Sequence, residues 1–323
     1  MKKINGFTLF LILILFSVLI LPLIVPLPPL TGIQPVEELT YSDSQFKEID
    51  GINIHYQQIG ENSDTLIILL HGFGSSTYSW QKVMDPLSEY GAVLAYDRPA
   101  FGLTERVTTF EDKDFNPYKM NYQPEIVINF IDEEQAEKVI LIGNSAGGTV
   151  AIQTALDYPD KISALILVSP AVFESGGAPG WIKPLLNLPH FNRLGPILVR
   201  SIRERGLELL ELAWSDQQKI TQKDYENYQK PLSVSNWDTA LWEFTKVNGG
   251  TDLQSRLKEL SIPVLIISGE YDKIIPVEQS KQLAVNLPGS EIVIIPNCGH
   301  VPQEECPDGF LEATDSFINS IVQ

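Results

Sequence analysis

The sequence is short of the residues that bind metals and form disulfides. It has two cysteines and four histidines in 323 residues. Cys298 and Cys306 do not form a C-x-x-C unit, and His55, His71, His190 and His300 are dispersed. No set has metal-ligand spacing, so neither a structural nor a catalytic metal is expected. No G-x-G-x-x-G follows a strand-like run, which leaves a dinucleotide without a cradle, and no cofactor is expected. Basic residues are also few, 23 Lys and Arg against 41 Asp and Glu, for a net charge of −18. That balance excludes the basic footprint a nucleic-acid partner needs. It also disfavours docking of the folded domain on anionic lipid through its own surface. There is no internal repeat, and no low-complexity tract beyond the amino terminus.

What is present supports a sizeable core. Hydrophobic residues make up 44% of the chain, enough for one large α/β domain with an insertion or for two small domains. The amino terminus stands apart. Met1-Lys2-Lys3 precedes an apolar run over 7–25 without a charge, and at 1.5 Å per residue that run approaches the ~30 Å of a bilayer core. Pro22, Pro26, Pro28 and Pro29 are expected to stop the helix and begin a stiff linker. The lysines ahead of the run and Glu37, Glu38 and Asp43 behind it orient the amino terminus inside and the remainder outside. An uncleaved anchor fits better than a signal peptide, because Leu-Pro-Pro-Leu-Thr-Gly makes a poor small-x-small site; a secreted protein is the alternative. Residues 1–30 are assigned to the anchor or signal segment and 31–45 to a linker.

Val139-Ile140-Leu141-Ile142-Gly143-Asn144-Ser145-Ala146-Gly147-Gly148 is the stretch that organises the rest. A β-branched run ends in Gly143, and a helix-compatible stretch over 149–158 follows with almost no room to turn. So tight a reversal requires residues without a Cβ on both sides of its apex, which Gly143 and Gly147 supply. Ser145 is thereby held out at a strand's carboxyl end, above the N–H groups of a new helix. A serine hydroxyl is a weak nucleophile at neutral pH. It needs a base in reach, an acid to orient that base, and donors for the oxyanion.

Other stretches meet this demand. Residues 46–49 and 52–58 form a hairpin about Asp50-Gly51. The apolar strand 65–70 ends in His71-Gly72-Phe73-Gly74, whose backbone can turn N–H groups toward a ligand. The N–H groups of Phe73 and Ala146 are assigned as oxyanion donors, each worth about 3 kcal/mol in the transition state. His71 lies inside the turn and is read as structural, as is Asp97 in Asp97-Arg98-Pro99-Ala100-Phe101-Gly102. Helices are expected over 80–89 and 124–134 and strands over 92–96 and 162–168. Such alternation specifies a right-handed parallel sheet with ligands at the strands' carboxyl ends. From 170 to 252 the alternation lapses. Four of five tryptophans fall there, and helical patterning, as over 196–214, points to a cap walling an apolar pocket. The sheet resumes over 264–269 and 291–295, with a helix over 277–287 between them and a last helix over 308–321. Asp272 and His300 each follow a resumed strand; Glu270 is the rival acid.

In their order, H-G-F-G, D-R-P-A-F-G, G-N-S-A-G-G, G-E-Y-D and G-H-V-P-Q-E-E resemble the α/β-hydrolase superfamily, over nearly all of the chain past residue 46. The resemblance implies a mostly parallel, eight-stranded type of sheet with helices on both faces, core segments 46–170 and 253–323, and a helical cap over 171–252. It makes Ser145 the nucleophile, His300 the general acid/base, Asp272 its orienting partner, and Phe73 and Ala146 the oxyanion donors. Small-domain esterases and lipase-like members look nearest, with a small to medium hydrophobic ester as substrate. The C–C hydrolases of vinylogous diketones share G-N-S-x-G-G, but Val301 and Pro302 stand where those carry a Trp after the histidine. A binding protein on the same fold is the non-enzymatic alternative. The two cysteines flank His300, and a Cys298–Cys306 bridge would restrict the segment that bears the base.

Overall fold

A computed structural model of the chain describes residues 5–60, 63–110, 115–173, 181–247, 249, 252–287 and 289–322. Eight strands form one sheet: β1 (Gln45–Ile49), β2 (Ile52–Ile59), β3 (Thr65–Leu70), β4 (Ala92–Tyr96), β5 (Lys138–Asn144), β6 (Ala164–Val168), β7 (Val264–Gly269) and β8 (Glu291–Ile295). Their order is β1-β2-β4-β3-β5-β6-β7-β8. β2 pairs antiparallel with β1 and β4, and every later pairing is parallel. The β1–β2 turn has both central residues, Asp50 and Gly51, at positive φ, the mirror-type geometry that suits the twist of a two-residue hairpin.

The central strands are apolar throughout because both faces are covered. In β3, Leu66, Ile68 and Leu70 join one core while Ile67 and Leu69 join the other. The first core packs the sheet on the helices Gln123–Glu134 and Ala146–Asp157, and the second packs it on Trp80, Phe310 and Phe317. Every residue of β3, β4, β6 and β7 is buried, the pattern of strands clad on two sides.

One expected helix fails for a local reason. The stretch over 80–89 is a 3-10 turn, Thr77–Trp80, and one helical turn, Met84–Leu87, because Pro86 sits where a longer helix needs an N–H. The broken helical patterning over 196–214 belongs to two helices, Pro189–Val199 and Ile202–Ala213, and Pro196 lies inside the first. These two are the main cap helices, in the insertion between β6 and β7, where Trp237–Val247 completes the wall.

The amino-terminal helix is Gly6–Ile24, 19 residues with a mean hydropathy of 3.0 over its most apolar window. Asn5 caps it by accepting from the Thr8 N–H at 2.7 Å. Pro22 does not end it as expected. It falls in the last turn, where a missing N–H removes a single bond. Among the described residues this is the one helix long and apolar enough to cross a membrane, and it stands outside both cores.

Candidate active site

The strand-to-helix turn is built from close backbone contacts. A Cβ on Gly143 would stand 2.5 Å from the Gly147 carbonyl oxygen, and one on Gly147 would stand 2.0 Å from that of Leu70. Ser145 between them has φ 53° and ψ −119°, a strained conformation for a residue with a Cβ. Backbone bonds hold it there: its N–H donates to Val168 at 2.9 Å, and its carbonyl accepts from Gly148 at 3.0 Å and Ala171 at 3.1 Å.

His300 and Asp272 meet as expected. His300 Nδ1 donates to Asp272 Oδ2 at 2.8 Å, while Asp272 Oδ1 accepts from the N–H groups of Ile274 at 2.9 Å and Ile275 at 2.8 Å. Three donors fix the carboxylate, and the carboxylate fixes the imidazole tautomer, leaving Nε2 for chemistry. Ser145 and His300 wall one cavity of about 180 Å³, with Phe73, Phe101, Leu207, Leu210, Trp237 and Leu241 among the apolar residues of its lining. Among the described residues no hydrogen bond joins the Ser145 hydroxyl to His300; the two share the wall of this cavity. Glu270, the rival acid, instead accepts from the Asn297 N–H at 3.1 Å.

The predicted donors flank the same opening. Gly72 lies so near the turn that a Cβ on it would be 3.1 Å from Asn144 Oδ1 and 3.2 Å from Ser145 Cβ, and Phe73 follows it into the cavity wall. Ala146 is the first residue of its helix, where an N–H has no intrahelical acceptor. Among the described residues, no turn or loop carbonyl accepts from the N–H of Phe73 or Ala146.

His71 is occupied on both nitrogens. Nδ1 donates to the Gly72 carbonyl at 2.7 Å, and Nε2 accepts from the Arg98 N–H at 3.0 Å. Burial, with Arg98 close by, holds its pKa down to about 3, so it is a neutral strut rather than a base. Asp97 is likewise structural. Burial pushes its pKa up, but His55 and the N–H donors outweigh this and hold it low. Its carboxylate accepts from Thr77 N at 2.7 Å and Leu103 N at 2.6 Å, and it occupies the space a Cβ on Gly102 would need.

Asp97 also belongs to a second Ser-His-Asp chain that the sequence did not reveal. Ser44 Oγ lies 2.7 Å from His55 Nε2, and His55 Nδ1 lies 2.7 Å from Asp97 Oδ2. Hydrogen bonding alone would favour this chain over the one at Ser145. It has neither cavity nor strained apex: its residues are absent from the pocket lining, and Ser44 Oγ is taken by the Tyr41 N–H at 2.9 Å. It ties the linker to the edge of the sheet.

Two more residues were not anticipated. Asn144 Nδ2 donates to the carbonyls of Val168 at 3.2 Å and His300 at 3.1 Å, which joins the serine turn to the base loop. Glu305 accepts from the N–H groups of Gly299 at 2.6 Å, Ser215 at 3.0 Å and Asp216 at 2.8 Å, and the His300 N–H donates to Ala213 at 2.6 Å. The base loop is thus bonded to the end of the second cap helix. A disulfide joins Cys298 to Cys306 across this loop, with Cα atoms 6.2 Å apart. Cys298, Glu305 and Cys306 are close enough to resemble a metal site, but both sulfurs are bonded to each other and the carboxylate already has three donors.

A model of the alpha/beta hydrolase family matches residues 67–313, most of the chain and every element of this site except the linker edge. The chain belongs to the alpha/beta hydrolase family. An uncharacterized hydrolase of Bacillus subtilis, YugF, is 27% identical over 272 residues, covering 84% of this chain and 96% of the relative. A 2-hydroxy-6-oxononadienedioate/2-hydroxy-6-oxononatrienedioate hydrolase of Comamonas testosteroni is 26% identical over 289 residues, covering 84% of this chain and 93% of the relative. Among solved structures, a bacterial membrane phospholipase A superposes with a TM-score of 0.67 at 21% identity, covering 98% of this chain and 97% of the other. At that identity the likeness is one of fold.

Proposed function

We propose that this α/β hydrolase cleaves carboxylic esters of small to medium hydrophobic substrates through an acyl-enzyme on Ser145. The observation that carries the reading is the strained Ser145, φ 53°, in one apolar cavity with an imidazole whose far nitrogen is bound to a buried carboxylate. Ser145 Oγ attacks the acyl carbon as His300 Nε2 takes its proton. The oxyanion forms between the N–H groups of Phe73 and Ala146. Collapse expels the alcohol, to which His300 returns the proton. Water, activated by the same imidazole, then releases the acid and restores Ser145. Asp272 keeps its charge throughout and stabilises the imidazolium. The chemistry requires no metal or cofactor.

The cavity's volume bears on the substrate. At about 180 Å³, with Phe73, Phe101, Leu207, Leu210, Trp237 and Leu241 in its lining, the cavity suits a hydrophobic group rather than a charged one. The second reading, C–C hydrolysis of a vinylogous diketone, is favoured by the Comamonas relative. Against it, the two arginines in the lining are already engaged. Arg106 donates to the carbonyls of Phe101 at 2.6 Å and Gly102 at 2.7 Å, and Arg203 donates to that of Leu232 at 2.8 Å. A dicarboxylate of the kind that relative's name describes would have to displace them.

We also read Gly6–Ile24 as an uncleaved anchor with the catalytic domain on the extracytoplasmic side. The helix's length and the Cys298–Cys306 disulfide, a bond kept in oxidising compartments, support this. The test of the chemistry is a panel of p-nitrophenyl esters of graded acyl length beside a meta-cleavage diketone. Turnover of acetate and butyrate esters is expected. Ser145→Ala should lower it by about four orders of magnitude or more with folding intact. Diketone cleavage without ester turnover would reverse the order of the two readings.

A further inference from the structure

We infer that the cap face over residues 181–199 is a lipid-docking surface that rests in the headgroup region of an anionic bilayer beside the amino-terminal helix. The inference rests on the reading of that helix as an anchor. The emerging chain is bonded along the cap: His190 Nε2 donates to the Leu19 carbonyl at 2.6 Å, Arg193 Nη2 to Val25 at 2.7 Å, and Arg200 Nη1 to Pro28 at 2.7 Å. These contacts set a depth. Leu19 is five residues before the end of the helix at Ile24, so His190 lies about 7–8 Å below that end along the axis. Interfacial helices bury their apolar faces by about 5–10 Å, the same depth.

The surface has the composition that depth requires. Single exposed apolar residues are ordinary. Here they concentrate: beyond the amino-terminal helix, five of the thirteen large exposed hydrophobics among the described residues are Trp181, Leu185, Leu188, Phe191 and Leu198. Trp181 is 77% exposed, whereas the other four tryptophans are 5% exposed or less. The same stretch and the turn after it run against the charge of the chain. In sequence, residues 181–206 carry Lys183, Arg193, Arg200, Arg203 and Arg205 against one acid, Glu204, in a molecule of net charge −18. Arg200 is paired with Asp238 at 2.8 Å and Arg203 is turned to the Leu232 carbonyl, so Lys183, Arg193 and Arg205 carry the basic character of this face. Basic side chains at a bilayer surface are attracted by anionic headgroups within a Debye length. Whole-chain charge argued against such docking; its local distribution argues for it.

The docked segment leads directly to the cavity. Ile202–Ala213 begins two residues after Arg200, and Ile202, Gly206, Leu207 and Leu210 line the pocket. An ester dissolved in the leaflet would reach Ser145 along this helix without crossing bulk water.

The test uses the full chain in vesicles of phosphatidylcholine and phosphatidylglycerol, with and without bromine on the middle of the acyl chains. Bromine quenches indole on contact. Quenching is expected, and Trp181→Phe should remove most of it, because the remaining tryptophans are inside the fold. Leu185→Asp with Leu188→Asp should also reduce it while leaving turnover of soluble p-nitrophenyl butyrate unchanged. No quenching, or equal quenching in Trp181→Phe, would overturn the docking. The anchor is read separately, by flotation with vesicles after alkaline extraction. A chain that floats but is not quenched keeps its anchor and loses the docked cap; a chain that does not float loses both.

Discussion

Ser145 occupies its conformation because its neighbours lack side chains, which is why the sequence disclosed it. Gly143 and Gly147 are needed where any Cβ would meet a carbonyl oxygen, so the pattern of residue types encodes the turn directly. Asn144 and Glu305 were not legible by the same means. Each acts on backbone groups distant in sequence, and an Asn or a Glu in a loop has many uses. The Ser44-His55-Asp97 chain was hidden for the converse reason: three common residues, spread over three separate elements, carry no local signature. Glu304 gives a prediction at this scale. Its burial pushes the carboxyl pKa up from 4.5 to about 7, against the pull of Ser79, Tyr228 and Lys82 and with the push of Asp224. Ser79 Oγ and Tyr228 OH both donate to it, at 2.5 and 2.6 Å. Below about pH 4.5 it is protonated in both folded and unfolded chains. As pH rises toward about 7 the unfolded chain gives up the proton first, so stability falls through that window, by on the order of 3 kcal/mol. Chemical denaturation of the wild type at pH 5 and pH 8 should show the loss, and Glu304→Gln should flatten it.

At the scale of elements, strands were read more accurately than helices. A strand clad on both faces is a short apolar run bounded by turn residues, and β3 and β7 have the expected ends. The cap resisted reading because few of its helical residues are buried and its helices tolerate proline: Pro196 lies inside Pro189–Val199. On the proposed mechanism the element that matters most is the loop bearing His300, held by Glu305, by the Ala213 carbonyl at the cap, and by the disulfide. The two cysteines are eight residues apart in sequence, and closing so short a loop contributes about 2.5 kcal/mol by chain entropy. Cys298→Ser with Cys306→Ser is therefore expected to lower the denaturation midpoint and to reduce kcat more than it raises KM, since His300 is loosened while the cavity walls persist. An unchanged midpoint under reducing and oxidising conditions would contradict this.

For the whole molecule, composition was a sound guide to what is excluded and a poor guide to distribution. The acidic total remains a sound argument against a nucleic-acid partner, yet it concealed a basic, apolar strip where the chain leaves its amino-terminal helix. The fold was legible because alternating strands and helices admit few topologies, and the sheet follows the expected parallel arrangement with two antiparallel pairings at one edge. The molecule presents two serines within reach of Ser-His-Asp chemistry, and the account stands on the choice between them. Reaction with a fluorophosphonate, followed by mass mapping of the adduct, tests that choice most directly. A stoichiometric adduct is expected on Ser145, retained in Ser44→Ala and abolished in Ser145→Ala; an adduct on Ser44, or none on Ser145 in an active preparation, would rule Ser145 out as the nucleophile.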